Sequence, residues 1–298
     1  MLLAIPNFSE GRDQGRIAAI AEALTGPEGV VLLDTHSDQD HNRTVYTLAT
    51  GAAPETLVEA LVAGAASAVR LLDITVQDGM HPRVGTLDVA PLVYTDPALR
   101  GAACALALTL GDRLGSELDI PVFLYGELTE GRVSRAALRH GGPAGLAAQI
   151  ADGELTPDFG PRRLHPRAGA TLVAARPPLI AFNVELEPPA GLEEARRIAA
   201  LIREGGAEGL PSLRAIGLQL PHRADVAQVS TNIDDYHRCT PAQVVAAISR
   251  HAKPARAELV GLPPKAAFAG FPQGLPVQGL RYLEDAMQGA LGQRAQSH

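Results

Sequence analysis

Short apolar runs alternate with alanine-rich segments of helical periodicity along most of this chain, and the alternation is repeated in its second half. A short apolar run rich in branched or aromatic residues suits a strand, whereas apolar residues at every third or fourth position suit a helix with one buried face. Strands that alternate with helices predict a sheet covered by helices. The pattern therefore predicts an α/β layer architecture.

The first half predicts the element order β-α-β-β-α-β-α-β. The expected strands and helices are, in turn, residues 2–6, 30–33, 43–50, 86–94 and 120–125, and residues 12–24, 54–72 and 97–118. Residues 126–178 contain many prolines and glycines and little periodicity, so we expect one helix around 132–150 and otherwise loop. The GGPAG run at 141–145 is interpreted as a helix terminator.

The second half predicts the order β-α-β-β-α-β-α, which is the split β-α-β arrangement of ferredoxin-like units. The expected strands and helices are residues 179–186, 213–220, 225–233 and 258–262, and residues 192–203, 241–253 and 280–291. We therefore expect an α/β (α+β) chain of two ferredoxin-like βαββαβ-type subdomains, residues 1–177 and 178–298. Their sheets are expected to pack against each other, with the helices outside.

Charge and hydropathy exclude several classes of partner. The formal net charge is −7, whereas a nucleic-acid-binding protein normally carries a basic face, so no nucleic-acid partner is expected. The amino-terminal apolar run stops at Pro6 without a basic flank, and no stretch reaches the ~20 apolar residues of a membrane helix. We therefore expect a cytoplasmic protein without membrane association.

The usual nucleotide-binding and hydrolase motifs are missing from the sequence. No GxGxxG follows a predicted strand, and neither GxxxxGK[ST] nor a GxSxG elbow occurs. Cys104 and Cys239 are too far apart to form a CxxC motif, and both are expected to be small core residues. Dinucleotide, P-loop, serine-hydrolase and dithiol chemistry therefore have no support.

The first candidate site is the polar segment DTHSDQDHNR at residues 34–43, which holds two histidines, three aspartates and an arginine. If the preceding strand continued, alternate side chains from Asp34 to Asp40 would share one face. Imidazoles and carboxylates suit a divalent metal, and they equally suit a polar pocket for a substrate with an amidine or a carboxylate. A solvated turn between two strands is the third interpretation.

The second candidate is His81 in the segment QDGMHPRVGTLDVAP at residues 77–91. Pro82 keeps His81 out of helical geometry, so the imidazole lies on a short, stiff loop that leads into a strand. A histidine held in this way suits proton transfer near neutral pH. The other interpretation is a surface histidine in a turn.

The third candidate is the basic segment DFGPRRLHPRAGAT at residues 158–171, which carries three arginines and a histidine within six positions of an otherwise acidic chain. Flanking prolines and glycines predict a structured loop. Because guanidinium groups bind carboxylates through paired hydrogen bonds, the segment suits a small anionic ligand. A solvated basic linker is the other interpretation.

Taken in order, segments along nearly the whole chain resemble the formiminotransferase family, whose vertebrate members carry a fused cyclodeaminase. The ordered set is far more specific than any one of its members. The matching segments are IPNFSEG at 5–11, VLLD at 31–34, NRTVYTL at 42–48, HPRVGTLDVAP at 81–91, IPVFLYGE at 120–127, DFGP at 158–161, GAT at 169–171, LIAFNVEL at 179–186 and VAQVSTNI at 226–233.

The resemblance implies roles for particular residues. The catalytic histidine of the family, which precedes Pro-Arg-x-Gly-x-Leu-Asp-Val, corresponds to His81. The folate-binding loop follows Asp-Phe and corresponds to Gly160, Pro161, Arg162, Arg163, Leu164, His165, Pro166, Arg167, Ala168 and Gly169. The formiminoglutamate-binding residues are expected to be His36, Asp38, Asn42 and Arg43.

The resemblance also implies an activity: transfer of the formimino group from N-formimino-L-glutamate to N5 of tetrahydrofolate, in histidine degradation and one-carbon folate metabolism. His81 would act as general acid and base. Tetrahydrofolate would be a co-substrate, no metal or redox cofactor is expected, cyclodeaminase activity should be absent, and a homodimer is expected. Three alternatives remain: a folate enzyme that uses 5-formyltetrahydrofolate or N-formylglutamate, a non-catalytic folate-binding module, and a metal-dependent hydrolase.

Overall fold

A computed structural model describes residues 1–295, with side chains described as far as residue 290. The chain divides into two compact units, residues 1–177 and residues from 178 onward. Each unit contains one sheet with helices, which confirms the predicted α/β (α+β) class. The expected end of the second subdomain at residue 298 lies outside the described residues. No helix of the described part of the chain has the length and apolar character needed to cross a membrane.

The sheet of the first unit has seven strands in the spatial order β3-β4-(β1 and β2)-β5-β7-β6. They are β1 Leu2–Ala4, β2 Asn7–Phe8, β3 Val30–Asp38, β4 Arg43–Thr50, β5 Leu87–Tyr94, β6 Val122–Leu124 and β7 Thr171–Arg176. Strands β1 and β2 lie end to end between β4 and β5, interrupted near Pro6, which has no N–H to donate to a neighbouring strand.

Helices cover both faces of this sheet. They are α1 Gln14–Thr25, α2 Thr56–Leu71, α3 Arg100–Leu118, α4 Arg135–Leu138 and α5 Gly142–Ala151. Alternate residues of the parallel strands belong to different cores: Val122 packs with α1, α2 and α3, whereas Phe123 packs with α4 and α5. If β1 and β2 are counted as one interrupted strand, the elements from β1 to β5 have the ferredoxin-like order, which α3, β6 and β7 extend.

Three expectations for the first unit are wrong in detail. Residues 171–176 form a buried strand rather than loop, because β7 lies between β5 and β6 and is parallel to both. The single helix expected at 132–150 is two helices, because Gly141 and Gly142 adopt φ angles of 73° and 62° after α4 has ended at Leu138. The GGPAG run at 141–145 therefore begins α5, and its interpretation as a helix terminator is wrong.

The second unit has a five-stranded sheet in the order β12-β11-β8-β10-β9, with the β-α-β-β-α-β pattern predicted for a ferredoxin-like unit. Its elements are β8 Ile180–Leu186, α6 Leu192–Ile202, β9 Leu213–Leu220, β10 Val226–Ile233, α7 Pro241–Ser249, β11 Pro254–Val260, β12 Val277–Gln278 and α8 Leu283–Ala295. Thr240 caps α7 in a capping box with Gln243, as its place before Pro241 predicts. The last long strand begins four residues earlier than expected, at Pro254, because α7 ends at Ser249.

One face of the second sheet is apolar and packs against α6 and α7, whereas the other face carries buried charges. Glu185 and Glu258 are almost fully buried there, and the guanidinium of Arg223 lies 2.8 Å from a carboxylate oxygen of each. Arg256 adds a contact of 2.6 Å to Glu185. Buried carboxylates are tolerated only when they are paired, so Arg223 compensates two charges at once.

Replacing Arg223 with Gln should therefore destabilise the second unit by about 3 kcal/mol, because buried Glu185 and Glu258 each lose an ion pair. Cys104 and Cys239 are the only cysteines and lie in different units, so thiol labelling during urea unfolding can follow each unit separately. We expect labelling of buried Cys239 to shift to lower urea concentrations.

The matched control is Arg214→Gln, which removes an exposed ion pair to Asp234 on the same sheet. Exposed pairs contribute about 0–1 kcal/mol, so this variant should label almost as the parent does. Equal shifts for the two variants would show that Arg223 does not compensate buried charge.

Candidate functional site

The polar segment at residues 34–43 spans the end of β3, a turn and the start of β4. A bulge at Leu33 places Asp34, His36 and Asp38 on one face of β3, and Asp38 is buried opposite Arg43. The expectation that Asp40 shares this face is wrong, because the strand ends at Asp38 and Asp40 lies in the turn. The segment is therefore an ordered hairpin, not a solvated connection.

Asn42 connects the hairpin turn to two other segments. It adopts a left-handed φ of 46°, and its Oδ1 accepts a hydrogen bond of 2.9 Å from the Gly11 amide. Its Nδ2 donates to Gln77 Oε1 at 2.6 Å and to the Asp78 carbonyl at 2.7 Å. The amide group of Asn42 is therefore occupied in holding three chain segments together.

The loop that carries His81 is bound to the same turn. The Met80 amide donates to the Asp40 carbonyl at 3.0 Å, and the Arg83 guanidinium donates to the His41 carbonyl at 3.2 Å. These contacts keep His81 beside the hairpin, and its ring centroid lies 5.9 Å from that of buried His41. The first and second candidate segments thus form one site.

The tautomer of His81 follows from its backbone contact. Its Nδ1 lies 2.8 Å from the Pro82 carbonyl oxygen, which can only accept a hydrogen bond. In the neutral ring Nδ1 must therefore carry the hydrogen, and Nε2 keeps the lone pair. This arrangement leaves Nε2 as the basic nitrogen of the site.

The pKa of His81 is held well below its ordinary value of 6.5. Desolvation is the main cause, and the positive charges of Arg43 and Arg139 and the neighbouring His41 add to it. The hydrogen bond to the Pro82 carbonyl opposes the shift without reversing it. The imidazole is consequently neutral near pH 7, as a proton acceptor must be.

The basic segment closes in a tight turn between His165 and Gly169. Each of these two residues donates its amide hydrogen to the other's carbonyl, at 3.0 and 2.9 Å. His165 Nδ1 accepts hydrogen bonds from the amides of Ala168 at 2.8 Å and Arg167 at 3.2 Å. His165 therefore builds the loop, while Arg162 and Arg163 project from it as exposed side chains.

This loop is attached directly to the segment that follows His81. The Thr86 amide donates to the Ala168 carbonyl at 2.9 Å, and the Ala170 amide donates to the Val84 carbonyl at 3.0 Å. Gly85 and Gly169 form a β-bridge between these bonds. All three candidate segments are thus brought together within the first unit.

The approach of Gly85 to Gly169 leaves no room for a side chain at either position. A Cβ on Gly85 would lie 1.9 Å from the Ala170 carbonyl oxygen, and one on Gly169 would lie 2.2 Å from the Val84 carbonyl oxygen. Gly169 also has a φ of 71°, which other residues rarely adopt. The two glycines are therefore required for this loop contact.

Sequence reasoning missed three charged residues that build the site. Glu10 is buried, and its carboxylate accepts the amides of Arg12 at 2.9 Å and Asp13 at 3.0 Å, which fixes the entry to α1. Asp88 and Arg139 form a buried ion pair next to the His81 segment. Glu10 and Asp88 lie inside the family motifs, whereas Arg139 lies 58 positions after His81, and no local signal indicates it.

The arrangement of the polar residues does not resemble a metal centre. Among the described residues, which include all of 34–43, no group of three or more His, Cys, Asp or Glu side chains is placed to hold a metal ion. What the site offers is a neutral imidazole, several nearby guanidinium groups and a loop with exposed arginines. Such a set suits proton transfer on a substrate that carries carboxylates.

Comparison with known proteins assigns the chain to one family. Residues 1–176 match the model of the formiminotransferase domain, N-terminal subdomain, and residues 181–269 match the model of the formiminotransferase domain. The chain belongs to the formiminotransferase family, which confirms the resemblance read from the sequence.

Relatives of two lengths share this similarity. The formimidoyltransferase-cyclodeaminase of Sus scrofa is 41% identical over 78% of this chain, but the match spans only 43% of the relative. The glutamate formimidoyltransferase of Streptococcus pyogenes serotype M1 is 36% identical, over 79% of this chain and 78% of the relative. That of Thermoplasma acidophilum is 34% identical, over 88% of each. The chain thus spans about half the length of the long relatives and most of the length of the short ones.

The environment of His81 predicts an unusual titration. In NMR spectra of the folded protein, the imidazole of His81 should remain neutral below pH 6.5, whereas the same residue in the urea-unfolded chain should titrate near 6.5. Arg43→Gln should raise the folded pKa, because one neighbouring positive charge is lost. A folded pKa at or above the unfolded value would contradict the desolvation of the ring.

The same shift links His81 to acid stability. Because the folded pKa lies below the unfolded one, the unfolded chain binds the proton more readily, and stability present above pH ~6.5 is lost as the pH falls toward the folded pKa. In His81→Gln, the unfolding free energy should therefore decrease less between neutral pH and about pH 5 than in the parent.

Proposed function

We propose that this chain is a glutamate formimidoyltransferase, an enzyme that transfers the formimino group from N-formimino-L-glutamate to N5 of tetrahydrofolate. One observation carries the proposal: a neutral histidine lies on a loop that is hydrogen-bonded both to a charged hairpin and to a basic loop. Family membership and the names of the two short relatives, most of whose length the chain covers, support the same assignment.

His81 is the proposed general acid and base. As N5 of tetrahydrofolate attacks the amidine carbon, a new N–C bond forms and N5 loses its proton to His81 Nε2. The C–N bond to glutamate then breaks, and the imidazolium returns a proton to the departing glutamate nitrogen. The charges of Arg43 and Arg139 disfavour the imidazolium by lowering the pKa of His81, which favours this return.

The basic loop at residues 160–169 is the proposed folate-binding element. Arg162 and Arg163 are exposed and suited to bind the carboxylates of the glutamate tail. Arg167 also contributes to the loop itself, since it lies 3.5 Å from Asp73 and donates to the Leu72 carbonyl at 3.4 Å. The remaining residues of the loop, by this proposal, contact the ligand mainly through backbone and apolar groups.

The hairpin is the proposed site for the formimino donor. Asp38 and His36 lie on one face of β3, and Arg43 stands opposite Asp38, so the hairpin offers both an acceptor for a protonated amidine and a cation for a carboxylate. Asn42 contributes by holding the loop of His81, since its amide is occupied by protein groups.

The proposal includes the molecular setting of the reaction. Tetrahydrofolate is a co-substrate, and the step needs no metal or redox cofactor, because a protonated amidine carbon is already electrophilic. Residues 1–177 and 178–298 are assigned as the amino- and carboxyl-terminal family subdomains. From the family resemblance we also propose a cytoplasmic homodimer that takes part in histidine degradation.

Replacing His81 with Gln should lower kcat by roughly 10²–10⁴-fold, the usual contribution of a positioned acid or base. Binding of tetrahydrofolate should change little, because the loop at 160–169 keeps its contacts. Formation of 5-formiminotetrahydrofolate can be followed spectrophotometrically with purified protein. The control is His237→Gln, an exposed histidine of the second unit, which should retain full activity.

The choice of donor separates this proposal from its alternatives. The parent should be assayed with N-formiminoglutamate, N-formylglutamate and 5-formyltetrahydrofolate. Preferred turnover of either formyl compound would replace the formimino donor and leave the folate site intact. Folate binding without turnover of any donor would identify a non-catalytic binding module instead.

Replacing Arg163 with Gln should raise the KM for tetrahydrofolate and leave kcat nearly unchanged, because an exposed guanidinium contributes to binding and not to proton transfer. The dependence of KM on salt should weaken in parallel. Arg132→Gln, an exposed arginine outside the loop, is the control. An unchanged KM in Arg163→Gln would remove this side chain from the folate site.

A further inference from the structure

Asp88 occupies an irregular position in β5. Asn7 of β2 pairs with Val89, and the next residue, Phe8, pairs with Leu87, so Asp88 has no partner of its own across the ladder. Such a bulge turns a side chain away from the regular alternation of a strand. Here the bulge directs the Asp88 carboxylate toward the segment that follows His81.

The two carboxylate oxygens of Asp88 have different partners. Oδ1 accepts the amide hydrogen of Val84 at 2.7 Å, which fixes the end of the loop that carries His81. Oδ2 accepts a hydrogen bond from the guanidinium of Arg139, the residue that follows α4. Asp88 thus couples the His81 loop to a residue 51 positions further along the chain.

Arg139 is an uncommon arginine, because only 10% of its side chain is exposed. Its charge reaches His81, since it is one of the groups that disfavour the imidazolium. Within the described residues, its buried Nε has no hydrogen-bond partner. A buried N–H without an acceptor is costly, so this N–H is suited to donate to a bound ligand.

We infer that Arg139, aimed by Asp88, binds a carboxylate of the formimino donor beside His81, and that Asp88 positions both groups. The inference rests on the proposed function. A guanidinium with one edge held by Asp88 presents a fixed donor to a carboxylate, and the planar fork makes the geometry specific. Arg139 would then contribute to the affinity for N-formiminoglutamate, while Asp88 positions His81 through the loop and the substrate carboxylate only through Arg139.

Two substitutions of Arg139 separate the effect of its charge from the effect of its hydrogen-bonding geometry. Arg139→Gln removes both, so the KM for N-formiminoglutamate should rise at least about tenfold, and the acid limb of the kcat/KM profile should move to higher pH as the His81 pKa rises. Arg139→Lys keeps a charge but not the fork, so the acid limb should stay near its original pH while KM remains raised. The KM for tetrahydrofolate should change little in both.

Asp88→Asn tests the positioning role. The side-chain amide oxygen of this variant can still accept from the Val84 amide, but its hold on Arg139 weakens, so donor KM should rise while the loop remains ordered. The variant Asp88→Asn/Arg139→Gln leaves no unpaired buried charge, and it should fold even if a single variant does not. It should match Arg139→Gln in donor KM, because Asp88 acts on the donor only through Arg139.

The titration of His81 followed by NMR needs no substrate, so it tests the placement of Arg139 even if formimino transfer itself is not found. Arg132→Gln is the control, because it alters an exposed arginine of the same connecting segment. Donor KM within twofold of the parent in the Arg139→Gln variant, or in the double variant if only that one folds, would overturn the inference. So would an unchanged pKa of His81 in the same variant.

Discussion

The contact between Gly85 and Gly169 is the constraint on which the site depends. It brings two loops within backbone hydrogen-bonding distance, so that the segment after His81 and the end of the basic loop become parts of one structure. A side chain at either glycine would occupy the space of a carbonyl oxygen. Ser9, the residue after β2, supports the same junction, since its hydroxyl donates to the Gly85 carbonyl at 2.7 Å. Without this contact, the imidazole and the exposed arginines would belong to separate surface loops.

The protonation state of His81 depends on the buried and charged groups around it. A half-buried histidine beside guanidinium groups stays neutral, so it can accept a proton, and the imidazolium it becomes readily gives the proton back. The cations that add to this pKa shift must themselves be held in place, and Asp88 does so for Arg139. A carboxylate-bearing substrate would restore the balance of charge when it binds. The protein thus combines a neutral base with a cationic surrounding that suits anionic ligands.

Much of this structure is readable in the sequence where the signal is local. The hairpin of β9 and β10, the capping box at Thr240 and the strand at β4 follow from short patterns that contain their own turn or cap residues. The strand β7 could not be recognised in the same way, because six residues after a proline-rich loop become a strand only when β5 and β6 offer their edges. Periodicity alone does not report such non-local pairing.

The sequence by itself determined the family, the ferredoxin-like order of elements in each unit, and the three polar segments that converge on the site, because these depend on residue types and their spacing. Tertiary structure decided what individual residues do. It showed that the Asn42 amide holds three chain segments together and that Asp40 lies in a turn. It also brought Arg139 into contact with Asp88, which lies at a bulge in β5. These roles depend on hydrogen bonds and ion pairs between segments far apart in the chain, and no local pattern encodes the distance between two side chains.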